Sequence, residues 1–131
     1  MANYVGRYRT NYFHVSSEKA FDEWMEQYVS GADKLISVDG IGFYGYDSFC
    51  FSGPDGKEVN EGEAISKLQE ILDDNNTCIV EEIGYEKFRY FTATATIITK
   101  DNCKTIAFQE SIMKHVQKLL HDESYDTGIA Y

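Results

Sequence analysis

The sequence predicts an α+β fold in which residues 1–131 form a single domain, with about three helices packed on a mainly antiparallel sheet. Three observations carry that expectation. A chain of 131 residues with 43% apolar and 15% aromatic side chains and one Pro can fill one core, but not two. Apolar residues recur at helical spacing in three separate windows. Between those windows lie β-branched and aromatic runs joined by turn residues, and connections that short favour antiparallel pairing.

Thr10 to Val15 alternates and predicts a short first strand. Ser16 and Ser17 supply a cap for the first helix, with Glu18 in the first turn, where the macrodipole favours a carboxylate. Phe21, Trp24, Met25, Tyr28 and Val29 then follow the helical period, and Gly31 stops the helix. Lys34 to Val38 predicts a strand, Asp39-Gly40 a two-residue hairpin turn, and Ile41 to Tyr46 the returning strand. Ser48 to Ser52 is a further β-like run closed by Gly53-Pro54-Asp55-Gly56, with Lys57 to Val59 as the second arm of a small hairpin. Asn60 and Glu63 have capping-box spacing and open a helix with Ala64, Leu68, Ile71 and Leu72 on one face and Ile65 beside them. Thr77 to Ile83 and Phe88 to Thr99 predict an antiparallel pair around Gly84-Tyr85-Glu86. Cys103 to Phe108 reads as one more strand. The last helix, Gln109 to His121, is expected to turn Ile112, Val116, Leu119 and Leu120 toward the core, with Met113 at the edge. Asp122 to Tyr131 reads as a short acidic tail, expected to be mobile.

Several function classes are set aside by what the chain lacks. Arg7 and Arg9 precede no apolar stretch of signal-peptide length, and no run approaches the roughly 18 apolar residues of a membrane span, so a cytoplasmic protein is expected. Cys50, Cys78 and Cys103 fit neither a disulfide framework nor a zinc ribbon; they read as reduced thiols, two or three of them packed as small hydrophobes. No cofactor and no metal are expected. His115 and His121 stand six residues apart, about 240° of net helical rotation, and cannot converge on one ion; His14 falls in the first strand. No nucleophile has a base at local spacing, so no catalytic residue is predicted. Gly40-Ile41-Gly42-Phe43-Tyr44-Gly45 is a literal G-x-G-x-x-G, but a dinucleotide site needs the glycines to lead from a strand into a helix. Here an aromatic run follows instead. Glycines in a twisted or bulged strand account for the spacing.

Charge is the informative feature. The chain carries 12 Lys and Arg against 22 Asp and Glu, a net charge of -10, which opposes direct binding of nucleic acid or anionic lipid. Residues 41–86 hold 2 basic and 11 acidic side chains, whereas residues 87–121 hold 6 and 2. Glu18, Asp22 and Glu26 form a row at helical spacing, although like charges so placed cost a few tenths of a kcal/mol per pair. Asp47, Glu61, Glu63, Glu70, Asp73, Asp74, Glu81, Glu82 and Glu86 belong to the acidic block. A solvated surface that keeps the protein soluble is one explanation. The sharper one is a set of carboxylates that imitates duplex phosphates and occupies a basic groove on a nucleic-acid enzyme, with Tyr44, Tyr46 and Tyr85 as aromatic anchors.

The opening Gly6-Arg7-Tyr8-Arg9-Thr10-Asn11-Tyr12-Phe13-His14-Val15, followed by a capped acidic helix and by Glu86-Lys87-Phe88-Arg89-Tyr90, resembles small proteins carried by phages and conjugative elements of Gram-positive bacteria, over most of the chain. In size and charge the chain is also similar to anti-CRISPR and antirestriction inhibitors. Those inhibitors share no single fold, so no functional residue is transferred from them. The resemblance carries no established activity with it; together with the acidic block it leads to the expectation of a non-enzymatic inhibitor or interaction protein of a mobile element, acting in the host cytoplasm on a basic protein surface. The alternative is a small-ligand sequestering domain with a pocket between sheet and helices, lined by Tyr44, Tyr46, Phe49 and Tyr90. In that reading Arg7, Arg9, Lys87 and Arg89 would meet a phosphate. Exposed strand edges, Tyr125 and Tyr131 offer contacts for a homo-oligomer.

Overall fold

The computed structural model describes residues 4–87 and 90–126. Six strands, β1 (Tyr4–Thr10), β2 (Asp33–Ser37), β3 (Gly40–Tyr46), β4 (Cys78–Glu86), β5 (Tyr90–Ile98) and β6 (Cys103–Ala107), form one sheet in the order β2-β3-β1-β4-β5-β6. Every neighbouring pair is antiparallel. With α1 (Glu18–Tyr28), α2 (Glu61–Ile71) and α3 (Phe108–Leu120), this is the α+β domain that the sequence predicts.

One face of the sheet is covered by α1 and α2. The Ser17 hydroxyl accepts the Ala20 amide at 3.1 Å and caps α1; Asn60 does the same for α2 through the Glu63 amide at 2.9 Å. The apolar stripe of α1 puts Phe21, Trp24, Met25 and Tyr28 inside. Their rings join those of the sheet and its loops: Phe13 to Phe21 at 5.6 Å, Trp24 to Phe43 at 5.9 Å, Phe43 to Phe49 at 5.9 Å, and Phe49 to Phe51 at 5.0 Å. The Trp24 indole N–H donates to the Ala64 carbonyl at 2.8 Å, which fastens α1 to α2 without leaving a buried donor unpaired. The G-x-G-x-x-G glycines lie in β3. Gly40, at φ +133°, leaves the β-hairpin turn in a conformation that side chains disfavour. At Gly42 and Gly45 an added Cβ would collide with the Asn11 backbone and the Tyr8 ring respectively.

Several boundaries differ from the sequence reading. The first strand is Tyr4–Thr10, and residues 11–15 contribute only bridges, Phe13 to Ile41 and Val15 to Leu72. The ladder stops because Asn11 bonds β4 with its side chain: Oδ1 accepts the Ile79 amide at 2.8 Å and Nδ2 donates to the Thr77 carbonyl at 2.9 Å. The β2–β3 turn is Val38-Asp39, since Ser37 and Gly40 already pair. Residues 48–59 form no hairpin; Phe49 and Phe51 pack onto the core, and Ser52 exchanges backbone bonds with Tyr28 and Ser30. Gly84, Tyr85 and Glu86 continue β4 rather than turning. The Tyr4 ring lies over the paired Gly6 and Gly84 and fills the space that two missing side chains leave. Lys87 follows at φ 46°, and the expected Phe88 lies outside the described residues. Helix α3 buries no residue. It packs on β5 and β6, and Leu119 and Leu120 are exposed rather than core-facing. Of the cysteines only Cys78 is buried; Cys50 and Cys103 are exposed. No helix among the described residues is long and apolar enough to cross a membrane.

Candidate functional site

Two surfaces emerge, on opposite sides of the sheet. The helix side is acidic. Helices α1 and α2 carry seven carboxylates and two lysines, and their buried stripes point the charges outward. Glu26, Glu61 and Glu70 are exposed, and Asp74 stands exposed beyond the end of α2. Glu18 and Asp22 are not free in the same sense, because Lys34 from β2 reaches both, at 3.0 and 2.7 Å. Burial works against the Lys34 charge, but hydrogen bonds and attraction from Asp22 and Glu18 outweigh it and the ammonium pKa rises. Glu63 accepts the Tyr28 hydroxyl at 2.9 Å, and this bond, with lesser help from burial, pushes the phenol pKa up.

Two acids of the predicted set, Glu82 and Glu86, lie within the fold. Glu82 accepts the Tyr4 hydroxyl at 2.6 Å and the Phe49 amide at 2.8 Å, and Glu86 is 7% exposed. Neither joins the acidic surface. Burial first and the Glu82 bond second push the Tyr4 phenol from 10.0 up to about 12. Asp73 is half-buried, and Asp47, at φ 65° as β3 ends, is exposed; the backbone amides of the two bond the His14 and Gly6 carbonyls. Glu81 is exposed on the other side of the sheet, beside Arg9 in the β1–β4 register.

The predicted anchors also face away from the helices. By register Tyr44, Tyr46 and Tyr85 share the helix-free face with Arg7 and Arg9. The Tyr44 and Tyr46 rings meet edge to face at 6.3 Å; the Arg7 guanidinium lies 4.8 Å from the centre of the Tyr46 ring and that of Arg9 5.5 Å from Tyr12. The structure therefore separates the tyrosines from the acidic helices. It also separates the four residues of the alternative pocket: Tyr44 and Tyr46 stand on the open face, whereas Phe49 is in the aromatic core. Tyr90 alternates with the exposed Phe91 and points to the helix side. Arg7 and Arg9 instead flank an open groove of about 520 Å³ with Leu35, Tyr44 and Ile83. Lys87 is exposed, and Arg89 lies outside the described residues.

Sequence reasoning grouped Arg7 and Arg9 with Tyr44 and Tyr46 but placed them between sheet and helices, and so missed the open Arg–Tyr face. Its signal is the alternation Tyr4-Val5-Gly6-Arg7-Tyr8-Arg9-Thr10, in which every second residue is buried from Gly6 on. Among the described residues no group of three or more His, Cys, Asp or Glu is placed to hold a metal ion. Compared with protein-family models, curated proteins and solved structures, the chain matches none of them.

Proposed function

We propose that the chain is a non-enzymatic inhibitor of a phage or conjugative element, which binds a basic groove of a host defence or nucleic-acid-processing protein in the host cytoplasm. The observation that carries this reading is the outward carboxylate layer of α1 and α2, mounted on helices that the aromatic core and the Trp24–Ala64 bond hold in place. Charge on a fixed scaffold steers association and selects a partner of opposite sign. Glu26, Glu61 and Glu70 are the residues of first importance, because neither the fold nor Lys34 uses their carboxylates.

The test is protection. Wild-type protein expressed in bacteria with an active CRISPR or restriction system should raise the establishment of targeted DNA. The triple variant Glu26→Lys, Glu61→Lys, Glu70→Lys should abolish that gain while its unfolding midpoint stays near the wild-type value. No protection in any system tested would overturn the reading. A small phosphorylated ligand retained through purification in the Arg7–Arg9 groove would move it to the sequestering alternative.

A further inference from the structure

The helix-free face of the sheet is apolar and open. Val5, Tyr85 and Phe91 are register neighbours across β1, β4 and β5, Ile83 lies one step in, and exposure runs from 39% at Val5 to 63% at Ile83. A contiguous patch of that kind marks a contact surface. Six strands spaced about 4.8 Å apart and five to nine residues long span roughly 30 by 24 Å, or about 700 Å² before side-chain relief is counted. That approaches the roughly 800 Å² per partner of a standard-size protein interface.

We infer that this face is the interface of a symmetric face-to-face dimer of the chain, with its two-fold axis along the seam between β1 and β4. Charge chooses a second copy as the occupant. Two chains of net charge -10 repel through their acidic helix layers, whereas by register the open face sets Arg7, Arg9 and Lys104 against Glu81 and Asp33. Register chooses the axis. The seam divides the sheet into β2-β3-β1 and β4-β5-β6, and a two-fold along it lays each half on the other half of the partner. Along one row of the face run Tyr44, Arg9, Glu81 and Ala95; along the next run Tyr46, Arg7, Ile83 and Ala93.

Under that axis Arg9 falls on the second copy's Glu81, while Tyr44 and Tyr46 fall on its Ala95 and Ala93. Large side chains meet small ones and opposite charges meet, within the rotation of about 30° that sheet twist adds. An axis across the strands would instead set β1 on β1 and arginine near arginine. The dimer leaves both acidic layers outward, so it is compatible with the proposed inhibitor and does not depend on it.

Sedimentation equilibrium tests the assignment. Wild-type protein should weigh twice 15.0 kDa at micromolar concentration, and its melting temperature should rise with protein concentration. Arg9→Glu and Glu81→Arg should each weaken the dimer at least ~10-fold, and the double swap should restore it. Ile83→Lys should give a monomer with an unchanged circular dichroism spectrum. A 15.0 kDa species at every concentration into the hundred-micromolar range would overturn the inference. So would a dimer indifferent to Ile83→Lys, a double swap that fails to restore association, or a monomer that binds labelled single-stranded oligonucleotide through this face.

Discussion

The two faces of the sheet are built from alternate residues of the same strands, and both are rich in apolar side chains. Toward α1 and α2 stand Tyr8, Phe43, Val80 and Ile98, all nearly or fully buried. On the opposite face Val5, Ile83, Tyr85 and Phe91 alternate with them and are exposed in the single chain. Composition does not separate the two sets. What separates them is where the amphipathic helices pack: α1 and α2 cover one face, and α3, which buries nothing, stays on the outer strands. Period-two alternation therefore tells which residues share a face, while the helices decide which face becomes the interior.

That contrast can be broken by substitution. Phe43→Ala should give the largest effect, a loss of about 3–5 kcal/mol in urea unfolding, because a fully buried ring between Trp24 and Phe49 leaves a cavity. Thr10→Val should cost about 1–3 kcal/mol. The Thr10 hydroxyl accepts the Phe43 amide at 3.1 Å and donates to the Asn11 carbonyl at 2.8 Å, so valine strands a buried donor.

A third effect is set by pH. The folded chain holds the Tyr4 proton more tightly than the unfolded chain, with the phenol raised from 10.0 to about 12. Its contribution is complete below pH 10.0 and is lost as pH rises toward about 12. Tyr8 and Tyr28, also raised, add to the same slope. Unfolding midpoints measured across that window should fall, and Tyr4→Phe should flatten part of the fall. The smallest effect belongs to the open face: Ile83→Thr should change monomer stability by no more than ~0.5 kcal/mol. A loss there as large as that of Phe43→Ala would erase the distinction between the faces.

The caps at Ser17 and Asn60, the stripe from Phe21 to Tyr28 and the β3 glycines were legible in the sequence, since each is a local pattern with a local cause. What escaped depends on distant partners. Arg7 and Arg9 hide the strand Tyr4–Thr10 until the opposite alternation of β4 is set beside it. Asn11 ends that strand through bonds to residues 77 and 79. Glu82 looks like any acid of the block until Tyr4 and Phe49 arrive to bond it. Of the candidate site, the acidic row of α1 could be read from spacing alone. The division of acids and tyrosines between opposite faces could not, because it depends on strand register and on which face α1 and α2 cover.

The Lys34 contact with Glu18 and Asp22 has a consequence at the margin of the sheet. Strand β2 is an outer strand, and its unpaired backbone groups are the kind that recruit foreign strands into fibrils. Lys34 points inward from that rim and is held by two carboxylates of α1. An incoming strand laid along β2 would bring its own side chains against this charged cluster and take water from it. The same lysine that tempers the acidic row thus guards the rim against end-to-end growth.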